Sequence, residues 1–320
     1  MSEYYKPIFV DITAAEDGMQ VKKVLSSQLG ISRRLLTKIK VTPRGIEVNG
    51  ERQHVNYVVQ KGDVIAVRML EEDSDYIQPE RMDIDILYED DTILVLNKQA
   101  GVVVHPTTGH HTGTLGNGVV YYWQQKGEHY RYRPAHRLDQ YTSGVFVIAK
   151  NPYAHQNIAK QMEEGTVNKQ YIAFVHGNVE TSHGTVNAPI GRDDEDTHLR
   201  VVREDGYDAR THYEVQTRYE GATLVRCWLE TGRTHQIRVH MKHLGHPLIG
   251  DAMYAPSNVY AFSRQALHAE TLSFQHPTLK ERCEFTAPWP EDLHQLQHIL
   301  SDKKDGTNTN KLNGSHKRKE

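Results

Sequence analysis

Residues 136–150 read HRLDQYTSGVFVIAK, and this stretch decides how the chain is read. Its first half is polar and turn-forming, and from Gly144 it becomes an apolar run suited to a buried strand. Asp139 therefore falls in a loop just ahead of a strand. Such a position fixes the backbone and leaves the carboxylate able to face a cleft, and catalytic groups favour loops on a rigid scaffold. Arg137 lies two positions before it, and Gly144 allows a sharp entry into the strand. Spacing alone favours an Asx-turn with a neighbouring ion pair. A likeness to the kinase catalytic loop fails, because no Asn follows at the required offset and no Gly-rich phosphate loop exists.

On either side the pattern is strand-rich. DIDILYED and DTILVLNK form a hairpin around Asp90-Asp91, and GVVVHP follows. A Gly/His loop leads into a helix from about Leu115 to Lys126. NPYAHQNIAKQMEEG is a second helix, with Asn151 as cap and Pro152 at its first position. YIAFVHG, THYEVQTRYEGATLVRCWLE and LSFQHP continue as strands and loops, and after Leu300 the composition loses periodicity. At the other end, VKKVLSSQLG puts Val21, Val24, Leu25 and Leu29 on one stripe ending at Gly30. Ser32 caps RRLLTKIK, whose apolar side is Leu35, Leu36 and Ile39. GIEVNG and DVIAVRM read as short strands, with Asn49-Gly50 as a tight turn.

Charge divides the chain in the same places. The net charge is −3, which excludes a polycation. Yet Lys22, Lys23, Arg33, Arg34, Lys38, Lys40, Arg44 and Arg52 face only Glu47 and Glu51 in residues 18–52. Glu71, Glu72, Asp73, Asp75, Glu80, Asp83 and Asp85 then face Arg81 alone. The expected division is a basic RNA-binding domain over 1–70, an acidic linker over 71–83, a catalytic domain over 84–300 and a disordered tail over 301–320. Hydrophobic residues at 38% and charged residues at 25% are ordinary for a soluble protein. No apolar run suits a bilayer span, and the first residues do not read as a signal peptide. Cys227 and Cys283 form no metal-like pair, which fits free thiols in a reducing cytoplasm.

The second chemical constellation is LETGRTHQIRVHMKHLGHPLIGD, residues 229–251. Arg233 follows Gly232 at the end of a strand, and Arg238 lies further on. A short helix from near Thr234 would put Gln236, His240 and His243 on one side. His235, His240, His243 and His246 raise the question of zinc, as more loosely do His105, His110 and His111. Only His240–His243 and His243–His246 come near ligand spacing, without HExxH or a cysteine pair. A metal-dependent RNA hydrolase would also need an acidic ligand set at matching spacing, which is missing.

HRLDQYTSG resembles the signature of the RluA-type pseudouridine synthases. The resemblance continues, in order, through NKQAGVVVHP, VNKQYIAFVHG, APIGRD, TGRTHQIRVHMKHLGHPLIGD and RQALHAETLSFQHP, over roughly residues 80 to 295. Residues 18–68 resemble, more weakly, the α-L RNA-binding domain shared with a ribosomal small-subunit protein. Gln99 stands where the family usually has proline, and Met19-Gln20-Val21 replaces a common Arg-Leu-Asp helix start. These departures bear on the RNA target and leave the chemistry alone.

The resemblance implies an α+β protein: a small helix-plus-strand domain, then a mixed, largely antiparallel bent sheet with flanking helices. It makes Asp139 the catalytic carboxylate, with Tyr171 stacked on the target uracil and Arg233 paired with Asp139. Arg137 would hold RNA with its base extruded, and Leu267 would line the apolar wall of the base pocket. Lys22, Lys23, Arg33, Arg34, Lys38 and Lys40 would meet RNA phosphates. The expected partner is structured RNA, ribosomal first and transfer RNA second, with no membrane and the chain a monomer. No metal and no organic cofactor is expected, since isomerising uridine neither oxidises it nor removes a group. The alternative is a non-catalytic ribosome-assembly factor, against which the intact Arg137, Asp139, Tyr171 and Arg233 stand.

Overall fold

Val21, Val24, Leu25 and Leu29 form the buried side of α1 (Val21–Leu29), which stops at Gly30 in the left-handed conformation. α2 (Arg33–Val41) begins where Ser32 accepts a hydrogen bond from Leu35 N, and it buries Leu35 and Ile39. Both helices pack on a sheet of β1 (Ile8–Asp11), β2 (Ile46–Val48), β3 (Glu51–Arg52) and β4 (Val64–Val67), ordered β1-β4-β2-β3. The β2–β3 turn has positive φ at Asn49 (53°) and Gly50 (84°), as a type I′ hairpin requires. The computed structural model describes residues 4–309, less 108, 110, 197 and 256, with side chains as far as 302.

The larger part runs β5 (Asp85–Glu89), β6 (Ile93–Lys98), α3 (Leu115–Gln125), β7 (Ser143–Ala149), α4 (Pro152–Glu163) and β8 (Asn168–His176). It continues through β9 (His183–Asn187), β10 (Ile190–Arg192), β11 (Arg200–Val202), β12 (Arg210–Tyr219) and β13 (Ala222–Leu229). α5 (Gln236–His243), β14 (Leu267–Gln275), β15 (Arg282–Thr286) and α6 (Glu291–Thr309) complete it. The main sheet is ordered β5-β6-β7-β14-β8-β13-β12-β9, with β15 also on β14. β7 and β14 are parallel and the other pairings antiparallel, so the sheet is mixed and largely antiparallel as expected. β10 and β11 pair separately.

Two boundaries differ from the sequence reading. Residues 71–83 are not a free connector. Glu72 sits between Arg131, Arg133 and Lys38, which hold its carboxyl below the usual range against the opposing effect of burial. Ser74 bonds Tyr130 O and Tyr132 N, and Ile77 is buried in the main core. The two parts also meet directly. Tyr153 of α4 lies in the core of the small domain, and the Gln156 amide clamps Gly30 O at 2.8 Å and Ser32 N at 2.9 Å. Glu72 thus answers arginines of the larger part. The expected disorder from residue 301 is also corrected: α6 runs through residue 300 to Thr309 and buries Leu293, Leu296 and Leu300, while residues 310–320 lie outside the described residues.

Gly144 explains how the central strands meet. Its φ is +115°, and a Cβ there would lie 2.1 Å from Ala269 O, across the parallel β7–β14 contact. We expect Gly144→Ala to destabilise the protein by about 2 kcal/mol or more, read as a lowered midpoint in thermal unfolding. An unchanged midpoint would mean that this junction can relax.

Candidate active site

The N-terminal end of β7, the first residue of β14 and the middle of β8 converge at the centre of the sheet. Tyr171 on β8 pairs in register with Ala269 on β14 and Cys227 on β13. Leu267 opens β14 opposite Ala173. Asp139 lies in the loop before β7, where Thr142 N donates to its carbonyl at 3.0 Å. Together with Arg137, Arg233 and the start of α5, these residues line one cleft. Tyr171 and Leu267 are nearly enclosed, the Asp139 side chain is 16% exposed, and Arg137 is exposed at the rim.

The arginine paired with Asp139 is Arg238, and the pairing expected of Arg233 is corrected. Arg238 Nη1 donates to Asp139 Oδ2 at 3.2 Å. Its Nε and Nη2 are taken by Asp251, at 2.7 and 2.8 Å, in a buried bidentate pair. Arg233 is exposed: its Nε donates to Asp208 O at 2.9 Å, and its guanidinium lies 5.6 Å from the Tyr207 ring centroid. The reason lies in where the helix starts. α5 begins at Gln236, two residues later than expected, so Arg238 falls in its first turn and turns inward while Arg233 stays in the preceding loop. Gln236 fixes that junction, accepting from Arg233 N and donating to Arg210 O.

His235 caps this helix start in a left-handed conformation, φ 59°, uncommon for a non-glycine residue. Tyr254 Oη accepts from Arg200 N at 2.9 Å and also shares a hydrogen bond with His235 Nδ1, 2.8 Å away. His235 Nε2 faces Asp139 Oδ2 at 3.9 Å. Burial lowers the imidazole below its usual range, with Asp139 opposing, which favours the neutral ring. The other histidines point elsewhere: His240 Nε2 donates to Ala188 O and His246 Nδ1 to His176 O. Among the described residues no three His, Cys, Asp or Glu side chains are grouped to hold a metal, and His110 lies outside them.

Lys98, unremarked in the sequence although it stands in the quoted NKQAG, is buried below this loop. Its ammonium donates to Gln99 O, Val102 O and Gln140 O, at 2.8, 2.8 and 2.9 Å. It therefore ties the residue after Asp139 to the end of β6. Burial pushes the amine down to about 7, with Asp139 pulling the other way. Tyr171 is pushed well up, by burial and then by Asp139, so its phenol stays protonated and is a poor base.

A carboxylate beside a guanidinium, at the mouth of a cleft walled by an aromatic ring and a leucine, suits chemistry on a flipped base. The comparisons define the class. The RNA pseudouridylate synthase family profile matches residues 92–243. The RNA pseudouridine synthase YlyB of Bacillus subtilis is 44% identical over 292 residues, covering 90% of this chain and 96% of its own. Ribosomal large subunit pseudouridine synthase D of Xanthomonas campestris is 40% identical over 266 residues, 79% of this chain and 80% of that one. The solved structure of human RNA Pseudouridylate Synthase Domain Containing 1 superposes with a TM-score of 0.56 at 28% identity, covering 70% of this chain and 98% of that one. The chain belongs to the RNA pseudouridine synthase family, of the RluA/RluD type, and is an isomerase that converts uridine to pseudouridine in RNA.

Two expectations follow. At saturating RNA, Arg238→Lys should slow single-turnover isomerisation by about a hundredfold or more, as loss of a buried bidentate contact does, whereas Arg233→Gln should cost less than about fivefold. A larger effect at Arg233 would contradict the pairing. The second concerns Lys98, whose folded value near 7 lies below the 10.5 of an ordinary lysine. Between these values the unfolded chain binds the extra proton, so this group makes stability rise with pH across that window. Denaturant unfolding of wild type and Lys98→Met should diverge in favour of wild type by on the order of 3 kcal/mol from pH 7 to 10. Parallel curves would show that Lys98 titrates as an exposed lysine does.

Proposed function

We propose that this synthase acts on ribosomal large-subunit RNA, with Asp139 as its catalytic carboxylate. The observation that carries the reading is the Arg238–Asp139 contact at a cleft walled by Tyr171 and Leu267. Pseudouridine formation breaks the C1′–N1 bond of uridine, turns the uracil and rejoins it through C5, while C5 gives up a proton and N1 takes one up. An ionised carboxylate must stand beside the extruded nucleotide to start the reaction. Arg238 donates a charge-assisted hydrogen bond to that carboxylate and fixes its position. Tyr171 offers its ring face to the uracil, Leu267 closes the apolar side, and Arg137 at the rim holds the strand with its base out. Arg233 serves the RNA from the rim of the cleft, away from the Asp139 carboxylate.

The target follows from the relatives named ribosomal large subunit pseudouridine synthase D, in Xanthomonas campestris and Neisseria meningitidis. Binding rests on the small domain, where Lys22, Lys23, Arg33, Arg34, Lys38 and Lys40 are exposed on α1 and α2. Lys22 already donates to Asn56 and Lys38 lies 3.8 Å from Glu72, so Lys23, Arg33, Arg34 and Lys40 are the better phosphate contacts. A cytoplasmic site of action fits a ribosomal substrate. No helix among the described residues is long and apolar enough to cross a membrane.

Asp139→Asn should lower pseudouridine formation by about a thousandfold or more while RNA affinity stays within about threefold of wild type. Mapping by chemical labelling on protein-free ribosomal RNA reads both activity and target. Asparagine-variant activity near wild type would sink the carboxylate role, and labelling confined to transfer RNA would sink the target.

A further inference from the structure

Between the small domain and the sheet lies a groove of about 520 Å³, separate from the cleft at Asp139. Along one wall Arg34 and Lys38 stand one helical turn apart on α2, and along the other lie Arg131, Arg133 and His155. Four cationic side chains meet there against one carboxylate, Glu72, which is shared by Lys38, Arg131 and Arg133. Arg34 is exposed and, among the described residues, has no acidic neighbour within ion-pair reach. The groove is therefore electropositive, and part of that charge is unspent.

The groove also carries an aromatic row. Tyr76 is 55% exposed and stacks on His105, at 6.1 Å between centroids and 17° between planes. His105 in turn lies 5.7 Å from the ring of Tyr132. Arg131 covers Tyr76 from another side, 5.8 Å from its centroid. A large ring at the edge of a cationic groove, backed by two more rings, is built for stacking a planar group beside an anionic chain. Nucleobases on a phosphodiester backbone have that chemistry.

We infer that this groove is a subsite for unpaired nucleotides of the RNA substrate, stacking a base on Tyr76 and holding a phosphate at Arg34. The inference rests on the proposed action on RNA and adds a second contact away from the reacting uridine. The groove and the cleft are mechanically joined. Ala149 N bonds Arg133 O and Ala135 N bonds Val147 O, so the segment bearing Arg133 rides on β7. The same segment reaches Asp139 six residues later, a span of at most about 21 Å. A strand seated in the groove thus lies within a few nucleotides of the reacting base. A duplex would offer no free base face to Tyr76, so the occupant is single-stranded.

The test uses the full chain and a short fluorescent oligouridylate, with binding followed across salt concentrations. Tyr76→Ala should weaken binding about tenfold, and Tyr76→Trp should retain it. Arg34→Gln should flatten the slope of log affinity against log salt by about 0.7, the share of one phosphate on a single strand. With structured RNA as substrate, both variants should raise KM and leave kcat at wild-type level. Thermal unfolding checks each variant, and Tyr76→Leu decides the matter if the alanine variant is unstable. Wild-type affinity in Tyr76→Ala or Tyr76→Leu would overturn the inference, even if Arg34→Gln weakened binding. So would a fall in kcat at saturating RNA without loss of affinity. A wild-type protein that binds oligouridylate through Tyr76 yet makes no pseudouridine would instead sink the assignment of Asp139 and leave the groove standing.

Discussion

The buried guanidinium of Arg238 is the constraint on which the site depends. Its fork is spent on two N–H groups toward Asp251 and one toward Asp139, so its plane and the position of the Asp139 carboxylate are set together. Arginine can do this because its donors are rigid and its charge persists when buried. Removing one partner of such a pair costs about 3–5 kcal/mol, because the other charge is left uncompensated. Lys98 braces the Asp139 loop from below through three backbone carbonyls, its amine pushed down to about 7 by burial with Asp139 pulling the other way. The stacked Tyr254 ring, 4.9 Å from the Arg238 guanidinium, closes the arrangement and orients His235 through its hydroxyl.

Much of this was legible in the residues. The polar loop running into GVFVIAK located Asp139, and Gly144 proved to be a position where no Cβ fits. Ser32, Gly30 and Asn49-Gly50 marked their helix and hairpin boundaries because capping and positive φ are local matters. The partner of Asp139 was not legible. Arg233 and Arg238 stand in one short motif, and choosing between them requires the first residue of α5. That residue is fixed by Gln236 bonding to Arg210 on β12, a contact remote in sequence. Asp251 ended the quoted motif, yet nothing local identified it as the anchor of Arg238. The Leu293, Leu296 and Leu300 stripe did carry a helical period, and polar neighbours masked it.

The acidic stretch shows how composition can mislead about mechanical coupling. A run of carboxylates reads as solvated and mobile when no counter-charge is visible nearby. Here the counter-charges, Arg131 and Arg133, lie far along the chain and meet Glu72 only in the fold. With Tyr153 and Gln156 they make the small domain and the sheet one continuous platform. On the proposed reading, RNA held by α2 would be presented at a fixed offset from the cleft, a ruler as well as a grip.

The central claim is that Asp139 is held by Arg238 and not by Arg233, and a double-mutant cycle on folding stability tests it without reference to turnover. Unfolding free energies are needed for Asp139→Asn, Arg238→Lys, Arg233→Gln and the two doubles that contain Asp139→Asn. The account predicts a coupling of about 1–3 kcal/mol between 139 and 238, and one within about 0.5 kcal/mol of zero between 139 and 233. Additive effects at 139 and 238, with coupling at 139 and 233 instead, would contradict it.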